Sequence, residues 1–295
     1  MIELIHLRYF IALAEELHYG RAAERLHMAQ PPLTRQIKLL EERLGCRLFD
    51  RTTRSTRLTP AGEQFLAKAR AIVAQADEAF DAAAKAGRGE EGQLTLATAP
   101  SLMLGFLPRV IRAFRRKYPD VNFRLHETAS SEILKALRNG SADLGLLRGA
   151  DRDTQIQTLL RWKEPMVAIL PPDHTLARAG GIKLAQLKGE PFVLFPRHVG
   201  PAFHDDILRH CLREGFTPMI VQEARQWPSI IALVSAGMGV SVGPETVRDL
   251  LPRTASFSTL QGFTTTVRIA AAAGTATNPA LHNFMQLVRK HRPAT

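Results

Sequence analysis

The chain has 295 residues, 45% of them hydrophobic and 23% charged, enough for two or three modules that each bury a core. No apolar run approaches the roughly 18 residues that a membrane helix needs, and MIELIHLRYFIALAEELHYG carries Glu3, Glu15 and Glu16 without a basic leader, so the expectation is a soluble, cytoplasmic protein with no membrane partner. A formal charge of +11 favours a polyanion such as nucleic acid, although charge alone does not separate that from an anionic lipid surface. Cys46 and Cys211 form no disulfide framework and no metal-ligand spacing.

Residues 4–17 read LIHLRYFIALAEEL, with Leu7, Phe10, Ile11, Leu13, Ala14 and Leu17 at helical spacing. A shorter helix carries Ala22, Ala23 and Leu26, the chain turns near Met28 to Gln30, and Pro31 and Pro32 suit the first turn of a third helix. Leu33, Ile37, Leu40 and Leu44 form its apolar face, which leaves Thr34, Arg35 and Lys38 opposite and Gln30 at its start. A short helix crossing a DNA backbone and a second one with its N-terminal residues at base edges is what helix-turn-helix readout requires. Gln30, Pro31, Thr34, Arg35 and Lys38 are placed for it, glutamine matching adenine and arginine guanine; the alternative is a solvated basic helix face.

CRLFDRTTRSTRLTP follows, a short hairpin anchored by Leu48, Phe49 and Leu58. Its Arg51, Arg54 and Arg57 recur every third residue, so the hairpin reads as a wing whose arginines enter a minor groove or clamp phosphates. Thr59 and Pro60 then form an N-cap and N1 pair, and a long helix runs from there with Gly62 as its one weak position. Phe65, Ala69, Ile72, Ala76 and Phe80 lie on a heptad-like stripe that would pair two copies side by side. GRGEEG at 87–92 reads as a hinge.

Beyond the hinge, QLTLATA, NFRLHET and ADLGLLR alternate with the helix-like FLPRVIRAFRRKY and SSEILKALRNG, the pattern of parallel α/β units. A second set has MVAILP, FVLF, MIVQEA and GVSVGP as strands and AFHDDILRHCLREG and SIIALVSAG as helices, and TTVRIAAAA with NPALHNFMQLVRKH closes the chain. Two α/β lobes follow, the last helix returning to the first.

The run LRYFIALAEELHYGRAAERLHMAQPPLTRQIKLLEERLGCRLFDRTTRSTRLTPAGEQFLAKA resembles the N-terminal module of the LysR-type transcriptional regulators, and FLPRVIRAFRRKYPDVNFRLHE, ADLGLLR, MVAILPPDHTLA and LVSAGMGVSVGPE resemble their regulatory domain. The resemblance implies an all-α winged helix-turn-helix over 1–58, a dimerising linker helix over 59–86, the hinge at 87–92, and a C-terminal two-lobed α/β domain like a periplasmic binding protein. Its lobe I is expected at 93–162 with 267–295, and lobe II at 163–266. It also implies promoter double-stranded DNA as partner, a homodimer commonly assembled as a homotetramer, RNA polymerase as a further contact, and a small effector between the lobes.

Such a cleft lies where strand ends meet helix N-termini, which favours an anion. Its candidates are Pro100 and Ser101, Thr128 and Ser130, and Arg148 in lobe I, with Pro196, Arg197, His198, Pro201, Phe203 and Arg225 in lobe II. Hydroxyls with one arginine suit a carboxylate. The FPR and PxF stretch resembles the branch of the family that senses aromatic-degradation intermediates, so an aromatic or dicarboxylic acid is the expected effector and no cofactor is expected. Ser101, Thr128 and Ser130 have an alternative use as helix caps.

Enzyme readings are weaker. GVSVG holds Ser241 in an esterase-like pattern, but Pro244 follows at once and the run reads as a strand, not a strand-turn-helix elbow. Asp206 and His210 are four apart on one helical face but lack a third metal ligand, and neither a P-loop nor a dinucleotide fingerprint is present. A solute receptor with an unusual N-terminal extension is the main alternative from another class, and an enzyme with a basic oligomerisation arm is the next.

Overall fold

The computed structural model describes residues 2–51, 56–149, 155–250, 255–272 and 277–292. The chain divides into two compact units, Met1–Ala84 and Lys85–Thr295.

In the first unit, α1 (Leu4–Glu16), α2 (Tyr19–Arg25) and α3 (Gln30–Leu44) close around Phe10, Leu13, Ala22, Leu33, Ile37 and Leu40. Leu17, expected to extend the apolar stripe of α1, instead ends the helix: it takes a left-handed conformation with φ 49° and is 44% exposed. That break turns the chain so that His18 caps α2, its Nδ1 accepting from Arg21 N at 3.2 Å. Between α2 and α3, His27 at φ 51° and a bond from Met28 N to Ala23 O of 2.9 Å make a tight turn.

The hairpin pairs β1 (Phe49–Arg51) with β2 (Thr56–Leu58), Phe49 opposite Leu58 and Asp50 opposite Arg57. Glu41 anchors its base, one carboxylate oxygen accepting from Leu48 N at 2.9 Å and Phe49 N at 3.1 Å. Thr59 caps α4 (Pro60–Gly87): its hydroxyl accepts from Gly62 N at 3.0 Å and donates to Arg47 O at 2.8 Å. Gly62, read from sequence as a weakness, permits a close approach, since a Cβ there would stand 2.2 Å from the Leu48 carbonyl oxygen.

The stripe of α4 is divided between two uses, which corrects the expected pairing seam. Phe65 packs on Phe10 with ring centroids 5.0 Å apart, and Ala69 is fully buried in the same core. Ile72 and Phe80 remain 47% and 65% exposed, with Ala76 half-buried. α1 and α4 are also joined by Arg8 with Asp77 and by Arg70 with Glu15 at 2.7 Å.

In the second unit the elements run β3 (Gly92–Thr98), α5 (Leu107–Lys117), β4 (Val121–Glu127), α6 (Ser130–Arg138), β5 (Leu144–Arg148), β6 (Ile156–Leu170), β7 (Pro191–Leu194), α7 (Pro201–Arg213), β8 (Met219–Glu223), α8 (Trp227–Ser235), β9 (Ser241–Pro244), β10 (Ser256–Ala272) and α9 (Pro279–His291). One sheet has the order β4-β3-β5-β10-β6-β9, and β7 pairs with β8 in a second. β3 is parallel to β4 and β5, whereas β10 is antiparallel to both β5 and β6.

Sequence placed strands only at MVAILP and TTVRIAAAA, but β6 and β10 are 15 and 17 residues long. The added half of β6 carries Arg161, Lys163 and Pro165 on its exposed side, and that of β10, SFSTLQGFT, is mostly small and polar, so neither looks like a buried strand. These strands serve both lobes: Trp162, Val267 and Ile269 join the core with Phe114 and Phe284, and Met166 to Leu170, Leu260 and Phe263 join the core with Phe192 and Trp227. The ladder shifts register at two levels, between Thr259 and Thr264, where Thr264 comes opposite Pro165, and between Ile269 and Ala270.

The 87–92 segment, read as a hinge, is tied to α9. Asn283 Nδ2 donates to Arg88 O at 2.8 Å, and Gly89, at φ 65°, sits so close that a Cβ would lie 2.4 Å from Ala280 N.

Candidate functional site

In the first unit α3 begins at Gln30, with Pro31 and Pro32 in its opening turn and no side-chain cap. Leu33, Ile37 and Leu40 face the core, which turns Gln30, Pro31, Arg35 and Lys38 outward. Arg35 and Lys38 have no ion-pair partner among the described residues, so their charges are available to a ligand. Thr34 is half-buried and its hydroxyl donates to Gln30 O at 3.1 Å, a local bond that fixes the helix start. Arg51 ends β1; its side chain and the whole of Arg54 lie outside the described residues.

The net charge is concentrated in the second unit. Residues 1–84 contain 12 Lys and Arg against 11 Asp and Glu, whereas residues 85–295 contain 27 against 17. The unit with the helix-turn-helix is close to neutral overall, and its cations are sorted by pairing. Arg8, Arg21, Arg25 and Arg70 are held by Asp77, Glu15 and Glu16, whereas Arg35 and Lys38 of α3 have no ion pair among the described residues.

In the second unit a cavity is lined by Ala99, Pro100, Ser101, Ser130 and Arg148 from one lobe and by Phe195, Val199, Gly200, Phe203, Arg225 and Trp227 from the other. Three α-helices begin at it: α6 at Ser130, α7 after Gly200 and α8 at Trp227, none with a side-chain cap. Their first N–H groups and dipoles favour an anion. Phe195 and Phe203 stack at 5.3 Å and Trp227 closes the wall edge-on. The volume is about 40 Å³, room for a water or so and far below an organic acid.

Arg148 is 2% exposed and its charge is already taken. It pairs with Glu164, its Nε donates to Ser101 Oγ at 2.9 Å, and Thr246 of the opposite lobe lies 3.4 Å from Nη2. Burial holds its pKa below the usual arginine value, with Glu164 opposing. The expected pairing of this arginine with a carboxylate ligand is therefore revised: an internal carboxylate holds it. The capping alternative also fails for both serines, since Ala99 and Ala129 occupy the cap positions. Ser101 Oγ accepts from Arg148, and the Ser130 hydroxyl has no hydrogen bond among the described residues.

Pro100, Ser101, Ser130, Arg148, Phe203 and Arg225 are thus brought together, whereas Thr128, Pro196, Arg197, His198 and Pro201 do not line the cavity. Arg197 makes two 2.7 Å bonds to Asp205 on the surface and draws that carboxyl below its usual range. His198 sits behind the wall, its Nε2 accepting from Arg225 Nη2 at 2.8 Å. Pro201 opens α7 and Pro196 precedes the 3-10 turn Arg197–Val199, both shaping the chain. Sequence reasoning missed Glu164, Thr246, Phe195, Val199 and Gly200. The available signal for Glu164 was its place two residues after Trp162 and two before Met166, in phase with the side of the strand that is buried.

The remaining chemistry-like patterns have structural uses. Asp206 pairs with Arg209 at 2.6 Å, while His210 bonds the Asp206 carbonyl at 2.8 Å and stacks on Phe263 at 4.1 Å. Ser241 is buried in β9, paired with Ile169, not raised on an elbow.

Residues 4–63 match the bacterial regulatory helix-turn-helix proteins of the lysR family, and residues 87–293 match the LysR substrate binding domain. The chain is 45% identical to the uncharacterized HTH-type transcriptional regulator YnfL of Escherichia coli (strain K12) over 82% of each chain. It is 39% identical to the HTH-type transcriptional regulator AlsR of Bacillus subtilis (strain 168), covering 84% of this chain and 82% of that one. The crystal structure of full-length CbnR complexed with its target DNA is similar with a TM-score of 0.82 at 29% identity, covering 98% of this chain and 99% of that one.

Proposed function

The chain belongs to the LysR family of transcriptional regulators, and from that premise we propose that its cleft takes a small anionic effector which sets how α3 and the wing engage promoter DNA. It is a DNA-binding regulator with a substrate-binding domain, as its families and relatives are, and not an enzyme. The observation that carries the effector reading is the convergence of three uncapped helix N-termini and the Ser130 hydroxyl on one aromatic-walled cavity.

Because Glu164 neutralises Arg148, Arg225 is the cation left to the cavity, which favours a single carboxylate on a planar apolar body over a dicarboxylate. A cavity of about 40 Å³ requires the lobes to part before such a molecule enters, and the register shift beside Pro165, which lies between the two lobe cores, is a level at which the connecting ribbon can bend. The exposed Ile72 and Phe80 support pairing of α4 with a second copy, the unit from which a tetramer is built.

The test is a footprint of the protein on its own upstream intergenic DNA, beside a Thr34→Ala, Arg35→Ala double variant. A discrete protected site that the double variant loses is expected; uniform, salt-sensitive coating by both proteins would refute sequence-specific recognition through α3. Benzoate then serves as effector probe. It should raise the melting temperature of the wild type and do so less for Arg225→Gln, whereas the same rise in both would remove Arg225 from the site.

A further inference from the structure

The largest unexplained feature of the molecule is the placement of its charge. α5 and α9 contain seven Lys and Arg residues and no Asp or Glu: Arg109, Arg112, Arg115, Arg116 and Lys117 on the first, Arg289 and Lys290 on the second. All seven are exposed, and none has an ion-pair partner among the described residues. On α5, Val110 and Phe114 enter the core, which sets Arg109, Arg112 and Arg116 along the opposite face at steps of three and four.

The two helices lie side by side on one face of lobe I, with Phe114 against Phe284 at 5.3 Å. They run antiparallel. α9 starts beside the beginning of β3, where Asn278 bonds Gln93 O at 3.2 Å, and α5 ends beside the start of β4, whose Val121 is opposite Gly92. Arg289 and Lys290 therefore extend the α5 stripe at its Arg109 end.

Helix-dipole stabilisation accounts for last-turn cations such as Arg116, Lys117 and Lys290. It does not account for Arg109, which stands in the first turn of α5, where a positive charge is disfavoured, nor for Arg112 at mid-helix. Neither helix exposes a large apolar side chain. A protein interface of ordinary kind has an apolar or aromatic centre and few charges there, and this face has neither property. A cationic face without carboxylates or an apolar centre fits the phosphate backbone of a duplex.

We propose that the outer face of α5 and α9 is a second, sequence-independent DNA-backbone surface that holds promoter DNA flanking the site read by α3. It rests on the regulator reading above and adds a contact made by the domain that the family model does not assign to DNA. The phosphates contribute affinity and fix the path of the flank; they carry no base information.

The test uses the full chain with Arg109→Gln, Arg112→Gln and Arg116→Gln together, beside wild type and the Thr34→Ala, Arg35→Ala variant. Binding is measured against salt on a long upstream fragment and on one trimmed to the footprint core. Three lost phosphate contacts should lower the log–log salt slope by about 2.7 on the long fragment and leave it unchanged on the short one. The α3 variant should lose the footprint on both, which separates failure of the regulator reading from failure of this one. An unaltered slope on the long fragment overturns the proposal, as does a wild-type slope that is the same on both lengths. If the triple variant keeps its DNA slope but loses salt-sensitive binding to RNA polymerase, the face belongs to an acidic protein and the DNA assignment is wrong. Equal unfolding midpoints for triple variant and wild type establish that the fold is intact.

Discussion

Replacing Glu164 by Gln removes the counter-charge of a guanidinium that is 2% exposed, while Ser101 and Thr246 keep their neutral contacts to it. Arginine stays protonated at neutral pH, so the variant must bury a cation with neutral partners only: two hydroxyls, the new amide oxygen and the Phe203 ring 5.7 Å away. Breaking a buried pair on one side costs about 3–5 kcal/mol. For a unit of this size each kcal/mol moves the melting temperature by about 2–4 °C, so the transition of the second unit should fall by roughly 6–20 °C. Calorimetry of the full chain reads this, and DNA affinity of the folded protein at low temperature checks that the first unit is untouched. The pair itself is not expected to be strongly stabilising, because both ions were taken from water. Arg148→Met with Glu164→Leu should therefore recover most of the loss. The reasoning is refuted if Glu164→Gln melts within about 1 kcal/mol of wild type, or if the double variant melts no higher than the single one.

Gly62→Ala should destabilise the first unit despite a gain in helix propensity of up to about 1 kcal/mol, because its Cβ would meet the Leu48 carbonyl at 2.2 Å; a higher urea midpoint would contradict the packing described. Ile72→Asp with Phe80→Asp should reduce the assembly state in sedimentation, whereas Phe65→Ala should lower stability, since Phe65 packs on Phe10. Arg70, with Arg25, holds the Glu15 carboxyl below its usual range, so its stabilising contribution is complete above the ordinary carboxylate pKa and is lost as pH falls through the lower folded value. Glu15→Gln should accordingly melt below wild type at neutral pH and converge with it in acid. Burial pushes the Cys211 thiol up to about 11, while Cys46 is exposed, so alkylation of the native protein should give one adduct and of the unfolded protein two, counted by mass spectrometry.

What could be read from sequence follows the range over which each signal acts. α1, α3 and the cap at Thr59 are set by neighbours within a few residues, and their apolar spacing survives in the fold. Leu17 shows the limit: periodicity continues through it, but the turn into α2 requires a left-handed residue there, a demand set by how the helices cross. Residues 156–165 of β6 and 256–264 of β10 were missed because their pairing partners lie about 100 residues away, and because the first stretch exposes Arg161 and Lys163 while the second is mostly small and polar. In the cleft, residues next to strand ends were found by topology, whereas Glu164 and Thr246 reach Arg148 from elements that look unrelated until the lobes meet. Phe65 and Ala69 fit a pairing seam by spacing; only the position of α1 shows that their surface is already used.

The route of the chain through the two lobes has a consequence for the order in which they are completed during synthesis. The second lobe is one continuous stretch, from the second half of β6 to the first half of β10, and all its strands exist once residue 266 has emerged. The first lobe begins earlier but lacks the inner half of β10 and the whole of α9 until the very end, so Phe114 and Phe123 have no Phe284 to stack against. Domains made on the ribosome commonly finish in the order they are written. Here the later lobe can close first, and a message cut short before Pro279 would leave the earlier one with an open aromatic core.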